Sequence, residues 1–300
     1  MTIMQPVGEL DRQRYLGGSD IAAILGISPW RTPLDVYLDK TEGQQAVSDE
    51  KKKIFKRGAR MEPYILDLLA EETGLEIVAR NHRYVDRQHS FIAAEIDAEA
   101  ATGENIEAKS ANQFAAKNWG EQGTDEIPVY YSAQGMHGMM ITGAPATIFP
   151  VLIGSDDFRV YELQRDEEII ARIRQAEVEF WGRIQRREPP EPVNESDLLR
   201  LFPRSTGEEI QASDQIVGKF NQLKSLMRRE KMLASDIEDL QLELKMFMRD
   251  AAVLKFGATT LGSWKAQETD RIDVTRLRNE QPEIAAQFIK TTTSRVFRVR

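Results

Sequence analysis

The hydrophobic period of the chain changes at Leu75, and that change limits the fold more than any other feature. Downstream, "LEIVARNHRYV", "FIAAEID", "NIEAKSA", "ATIFPVLIG" and "FRVYELQ" are short β-rich runs between turn residues and predict five strands. Upstream, the spacing predicts helices. "SDIAAILG" is one, capped by Ser19 or Asp20 and stopped by Gly26. "TPLDVYLDKTEG" is a second, with Pro33 in its first turn, and "MEPYILDLLAEETG" is a third, entered through the charged "SDEKKKIFKRGAR" and closed by Gly74. Between the third and fourth strands, "PVYYSAQGMHGMMITG" predicts a helix that begins after Pro128 and ends at Gly143. After the fifth strand, "RDEEIIARIRQAEVEFWGRIQRR" predicts a long amphipathic helix with Ile169, Ile170, Ile173, Val178, Phe180 and Trp181 on or near its buried side. The order predicts an α+β fold, a small mixed central sheet flanked by helices.

The clustered prolines of "EPPEPVNESD" suggest a linker. The expected organisation is a domain over 1–190, a linker over 191–212 and an extension over 213–300. The extension opens with a long helix whose positions 216, 220, 223, 227, 233, 237, 240, 244 and 247 are apolar at helical spacing. That stripe either packs on its own domain or forms an intermolecular coiled coil. A hairpin in "ATTLGSWKAQETDRIDV", a short helix and a basic strand, "TTTSRVFRVR", are expected after it.

Composition removes several function classes. The chain has 300 residues, 41% of them hydrophobic, which is enough for a sizeable core. Without cysteine there are no disulfides, thiolate zinc sites or cysteine nucleophiles. No apolar run approaches the roughly 18 residues of a membrane span. The opening "MTIMQPVGELDRQRY" lacks a basic-then-apolar export pattern, so the expectation is a cytoplasmic protein with no membrane association. A net charge of −8 does not advertise a nucleic-acid binder, although acidic metal ligands contribute to it and local basic strips still grip phosphates.

The chemistry concentrates in "FIAAEIDAEAATGENIEAKSA", residues 91–111. Alternate side chains of a strand share a face, so Glu107 and Lys109 point the same way. The "AEAATGE" stretch is long enough to return the chain antiparallel, which brings Asp97 near Glu107. Like charges opposed across a ladder are destabilising. A divalent cation resolves the conflict, because Mg²⁺ takes oxygen ligands and keeps several waters, suiting two carboxylates and a backbone carbonyl. Lys109 would then stand where an attacking water is oriented or the charge developing on phosphorus is steadied. Alone, the Glu-x-Lys spacing also fits a solvated strand edge of alternating charge. Glu62 shares a helical stripe with Ile65, Leu66 and Leu69 and would face inward, although a glutamate before Pro63 also fits a helix start favoured by the helix dipole.

"LGGSDIAAILGISPWRTPLDVYLDKTEG", "RGARMEPYI", "AAEIDAEA", "IEAKSA" and "VYYSAQGMHGMMITG" occur in an order that resembles the YqaJ-type viral recombinase family. These are phage nucleases similar to lambda exonuclease, within the PD-(D/E)XK superfamily. The likeness spans about residues 14–187, with "GGSDIAAILGISPW" its most specific part, and "LGSWKAQETDRIDVTRL" and "TTTSRVFRV" resemble the tail of phage endonucleases of the group. The resemblance implies a PD-(D/E)XK core and a two-metal site. In it Asp97 and Glu107 bind Mg²⁺ (Mn²⁺ substituting), the carbonyl of Ala108 completes the shell, and Glu62 supplies the acid from the helix before the sheet. Lys109 matches the motif lysine, and Gln134 the glutamine of the helix over the scissile phosphate. His137, three residues after Gln134, lies near it, and a supporting or structural role is expected ahead of a general-acid one. Ser19 matches a serine that helps hold a 5′ phosphate, assisted by Arg12 or Arg14. One departure is Glu95, on the same strand face as Asp97, where it would repel a terminal phosphate unless it joins the metal ligands.

The implied function is Mg²⁺-dependent hydrolysis of double-stranded DNA from the 5′ end, in phage recombination within the infected bacterial cytoplasm. The implied assembly is a ring-shaped homo-oligomer, with a phage single-strand annealing protein as partner. An endonuclease of the same fold and an inactive partner-binding scaffold are the alternatives.

Overall fold

The computed structural model describes residues 4–6, 12–43, 48–290 and 294–299. Most of the N-terminal stretch read for export and part of the C-terminal basic segment lie outside them. The first compact unit ends at Leu198 and the second runs from Leu199.

In the first unit, β1 (Met4–Pro6), α1 (Gly18–Ile24), α2 (Pro33–Thr41) and α3 (Asp49–Thr73) precede β2 (Ile77–Val85) and β3 (Ala93–Ala100). Then come β4 (Asn105–Ile106), β5 (Lys109–Ala111), α4 (Val129–Thr142), β6 (Ala146–Ile153), β7 (Asp157–Gln164) and α5 (Glu167–Arg186). All seven strands form one sheet in the order β1-β2-β3-β4-β6-β5, with β7 also on β6. It is mixed, since β4 and β5 run parallel to β6 and the other pairs are antiparallel. The expected α+β architecture is therefore the one the chain adopts.

Local chemistry explains most boundaries. Thr32 accepts from the backbone N–H of Asp35 and the Asp35 carboxylate accepts from that of Thr32, a capping box with Pro33 in the first turn. Gly74 (φ 71°) and Gly143 (φ 84°) end α3 and α4 in the left-handed region. The cap of α1 is Gly17, not Ser19 or Asp20. Asp20 lies in the first turn, and its carboxylate reaches back to the Gly17 N–H at 3.2 Å. The charged run before Met61 is not a separate lead-in but the first half of a 25-residue α3 that carries Pro63 inside it. Ser48 caps that helix through the Lys51 N–H.

β6 is buried along its whole length, as a strand with neighbours on both sides should be. Phe149, Val151 and Ile153 pack with Ile96, Met136, Met139, Ile170 and Ile173 into the main core, and Leu66 and Leu69 of α3 pack on Ala98, Ile106 and Ile148. A Cβ on Gly135 would lie 2.9 Å from the ring of fully buried Phe149, so that close helix–sheet approach needs glycine. Two expected core residues of α5, Ile169 and Val178, are 44% and 37% exposed. The buried stripe runs instead through Ile170, Ile173, Glu177, Phe180 and Ile184, with Trp181 stacked on Phe91.

The proline-rich stretch does not stand off as a spacer along its whole length. Asp197, in α6 (Glu195–Leu201), is buried and accepts from the Thr32 hydroxyl and the Val193 N–H. In the second unit, α7 (Asp214–Met248) leaves its apolar stripe largely uncovered, with Ile216, Met227, Leu233, Ile237, Leu240, Leu244 and Phe247 all exposed. The hairpin is β8 (Val253–Phe256) and β9 (Thr259–Ser263), turning at Gly257; it starts earlier than expected. Helices α8 (Val274–Glu280) and α9 (Pro282–Gln287) follow, and residues 294–299 form no strand. Among the described residues, no helix is long and apolar enough to cross a membrane.

Candidate metal and nucleic-acid site

Asp97 lies inside β3, not at its end, because the strand continues to Ala100. Ala98 pairs with Ile106, so one step along the same register Asp97 stands opposite Glu107. There the second strand of the hairpin breaks. Residues 107 and 108 belong to neither β4 nor β5, although both segments pair with β6 in a continuous register. The Glu107 N–H still donates to the Ile148 carbonyl, but the Ala108 N–H donates to Asp97 Oδ2 at 3.0 Å. The break draws the two carboxylates to one point.

Glu107 is buried, and its Oε2 accepts from Lys109 Nζ at 2.9 Å and from Gln134 Nε2 at 2.8 Å. Gln134 comes from α4, held against the sheet by the Gly135–Phe149 approach. Burial pushes the Asp97 carboxyl well above the usual range, and Glu107 and then Glu62 push it further, against Lys109 and the Ala108 hydrogen bond. Glu62 is raised by burial and by Glu107, and accepts a hydrogen bond from the Asn81 side chain. Burial alone would lower Lys109, but Glu107 and Asp97 outweigh it and hold the ammonium charged. Three carboxylates thus act on one another around one cation.

Asn81 has no counterpart in the sequence reading. It sits in β2 at φ 55°, between residues paired with Ala98 and Ile96, so it lies across the ladder from Asp97. Asparagine tolerates this left-handed conformation better than most residues.

The donor set fits a hard dication. Its ligands are all oxygen, and the mutual repulsion of buried Asp97 and Glu107 is what a bound cation removes. Among the described residues no three His, Asp or Glu side chains converge tightly enough to hold an ion alone. The local set is therefore the Asp97–Glu107 pair, with Glu62 set back on α3.

A cavity of about 150 Å³ runs from Asp97, Glu107 and Gln134 to Arg12, Tyr15, Ser19 and Lys40. Glu95 is held inside it, accepting from the Tyr15 hydroxyl at 2.9 Å and facing Arg12 at 3.6 Å. Burial and Glu95 together push the Tyr15 phenol up to about 12. Arg12 and Arg14 share a 3₁₀ turn, and only Arg12 is among the residues lining the cavity. Beneath Ser19, buried Asp20 accepts from Lys40 at 2.8 Å and from Arg31 at 2.9 Å. Those cations outweigh burial and hold its carboxyl low.

His137 is among the residues around the cavity but has no exposed surface. Its Nε2 is 3.0 Å from the Ala93 carbonyl and its Nδ1 3.1 Å from Glu177, also fully buried. Among the described residues neither Glu177 oxygen has a well-aligned hydrogen-bond partner, so the pair is held by charge. Burial would lower the imidazole, but Glu177 overcomes it and raises the histidine. No local signal in the sequence pairs residues forty positions apart on two helices.

Residues 9–145 match the family model described as the YqaJ-like viral recombinase domain. Protein YqaJ of Bacillus subtilis strain 168 is 27% identical over 301 aligned residues, covering 97% of this chain and 92% of that protein. Among solved structures, the alkaline exonuclease LHK-Exo of Laribacter hongkongensis aligns with a TM-score of 0.49 and 17% identity, over 59% of this chain and 91% of that one. A phage-related exonuclease from Haemophilus somnus 129PT aligns at 0.44 and 16%, over 58% of this chain and 96% of that one. Over residues 9–145, the chain is therefore similar to the YqaJ-like viral recombinase domain family.

Proposed function

We propose that the first unit is a metal-dependent deoxyribonuclease that hydrolyses phosphodiester bonds of double-stranded DNA. The observation that carries this reading is the convergence of Asp97, Glu107, Lys109 and Gln134 at the strand break, with Glu62 close enough to raise Asp97 and to be raised by Glu107.

Asp97 and Glu107 would hold Mg²⁺ or Mn²⁺, with the Ala108 carbonyl and Glu62 as further oxygen donors. When bound, the ion polarises a phosphoryl oxygen and lowers the pKa of water. Lys109, fixed by Glu107, presents a positive charge where a non-bridging phosphate oxygen gains charge in the transition state. Gln134 fixes the carboxylate geometry from α4 and stands over the bond to be broken. Arg12 and Ser19 line the far end of the cavity, where a strand terminus would rest.

Polarity from 5′ to 3′, a ring-shaped homo-oligomer and delivery of the exposed strand to an annealing protein are the finer parts of this reading. They rest on the family likeness. A second reading, internal cleavage, is favoured by Glu95, which places a carboxylate against Arg12 in the part of the cavity a 5′ phosphate would occupy. Incubation with Mg²⁺ and either linear or covalently closed circular duplex decides between them. The exonuclease reading expects linear DNA to vanish and circles to survive, and cut circles would reject it.

Lys109→Met is expected to reduce cleavage by about 10²–10³-fold, the usual cost of one preorganised electrostatic contact. Binding of Mn²⁺, followed by calorimetry, should persist, because both carboxylates remain. A variant as active as the wild type would remove Lys109 from the mechanism.

A further inference from the structure

Beside the catalytic lysine lies an aromatic shelf that the hydrolytic chemistry does not use. Lys109 Nζ stands 5.3 Å from the ring centroid of Tyr131. Tyr131 stacks on buried Trp119 at 5.5 Å, and meets Tyr130 at 4.6 Å and Trp30 at 6.3 Å. Trp30 also packs edge-on against Tyr130 at 4.7 Å, yet remains 60% exposed. The shelf thus begins at the cation over the scissile position and ends in a solvent-facing indole.

The indole is held rather than loose. The backbone N–H groups of Trp30 and Arg31 both donate to the Ser28 hydroxyl. Arg31 is tied to Asp20 at 2.9 Å and to Asp39 at 2.5 Å. Thr32 then caps α2. A large apolar ring braced by its backbone and by Tyr130 loses less conformational freedom when a flat partner arrives, which is how a preorganised binding surface gains affinity.

We propose that Trp30, Tyr130 and Tyr131 form a stacking site for one unpaired nucleobase of the strand being cut, next to the scissile phosphate. The inference rests on the nuclease reading for the position of that phosphate. Ring faces accept any base, because every base has a π-face, but a base inside a duplex offers only its edges. Occupation of the shelf therefore requires the substrate strand to be unstacked at the site. Lys109 would serve both ends of the same nucleotide, its charge on the phosphate and its cation–π contact anchoring the shelf.

The test is a thermodynamic cycle read by fluorescence anisotropy in Ca²⁺ at low salt. The probes are a labelled oligodeoxythymidylate and an abasic oligonucleotide of equal length, and the proteins are wild type, Trp30→Ala and Trp30→Phe. Stacking is worth roughly 1–3 kcal/mol per base, so wild type should bind the thymidine probe about ten-fold or more tighter than the abasic one. Trp30→Ala should lose most of that preference, Trp30→Phe should retain most of it, and Tyr130→Ala should reproduce the loss from a second position. An equal preference in wild type and Trp30→Ala, or none in wild type, overturns the shelf. The nuclease reading fails separately, if wild type cuts no DNA with Mg²⁺ or Mn²⁺ whatever the binding cycle shows.

Discussion

Asp97→Asn is expected to abolish DNA cleavage and, in metal-free buffer, to raise the unfolding temperature. In the folded chain burial, Glu107 and Glu62 all oppose ionisation of Asp97, so its charge destabilises the metal-free protein at neutral pH. Asparagine removes the charge and keeps an oxygen to accept from the Ala108 N–H, which stands 3.0 Å away. Catalysis should move the other way. A dication supplies several kcal/mol of transition-state stabilisation, so losing a ligand should cost roughly 10³-fold or more in rate. The two effects separate a metal ligand from a structural acid. Wild type should also gain thermal stability as Mn²⁺ is added, because a ligand that binds only the native state stabilises it, and the variant should gain far less. Differential scanning fluorimetry across a Mn²⁺ series reads both. A variant less stable than wild type without metal would contradict the picture of repelling carboxylates.

Glu177→Ala should produce the largest loss of stability. Glu177 and His137 are both fully buried, 3.1 Å apart, and the other ring nitrogen of the histidine stands 3.0 Å from the Ala93 carbonyl. Removing one partner of a buried ion pair costs about 3–5 kcal/mol, because the other charge is left without compensation. The cost should depend on pH. The His137 pKa is raised on folding, so the pair's contribution is complete below the unfolded value of about 6.5 and fades as pH rises through the raised folded value. The groups that set this are Glu177 on α5, Asp20 on α1 and the Ala93 carbonyl on β3. Urea unfolding at pH 6 and at pH 9 should show a larger wild-type-to-variant difference at pH 6. Equal differences would mean that packing, not charge, carries the effect. Because α4 also holds Gln134, any surviving activity of this variant should decline along with the helix's order.

The parts of this architecture that were legible beforehand are those set by local rules. Gly74, Gly143 and the Thr32–Pro33 pair mark helix ends through backbone preferences that need no tertiary partner. The hairpin length brought Asp97 opposite Glu107 for the same reason. What local rules miss is instructive. The charged residues before Met61 lack an apolar stripe, so they read as a lead-in, yet the helix initiated at Ser48 propagates through them and through Pro63. The strand break at Glu107–Ala108 is invisible in "NIEAKSA", because its cause is the Asp97 carboxylate capturing an amide from a neighbouring strand. Asn81, Tyr15 and Glu177 carry no local signal, because their partners lie far away in sequence. Strand alternation places Glu95 on the face of Asp97, as a charge that repels a phosphate or joins the metal ligands, and does not reveal that Tyr15 and Arg12 hold its oxygens.

Crystals soaked in Mn²⁺ and measured at a wavelength where manganese scatters anomalously test the central claim most directly. An anomalous peak is expected about 2.1 Å from carboxylate oxygens of both Asp97 and Glu107, within reach of Lys109 and Gln134. Manganese bound elsewhere while this pair stays without a peak, or a peak that touches neither carboxylate, would contradict that claim.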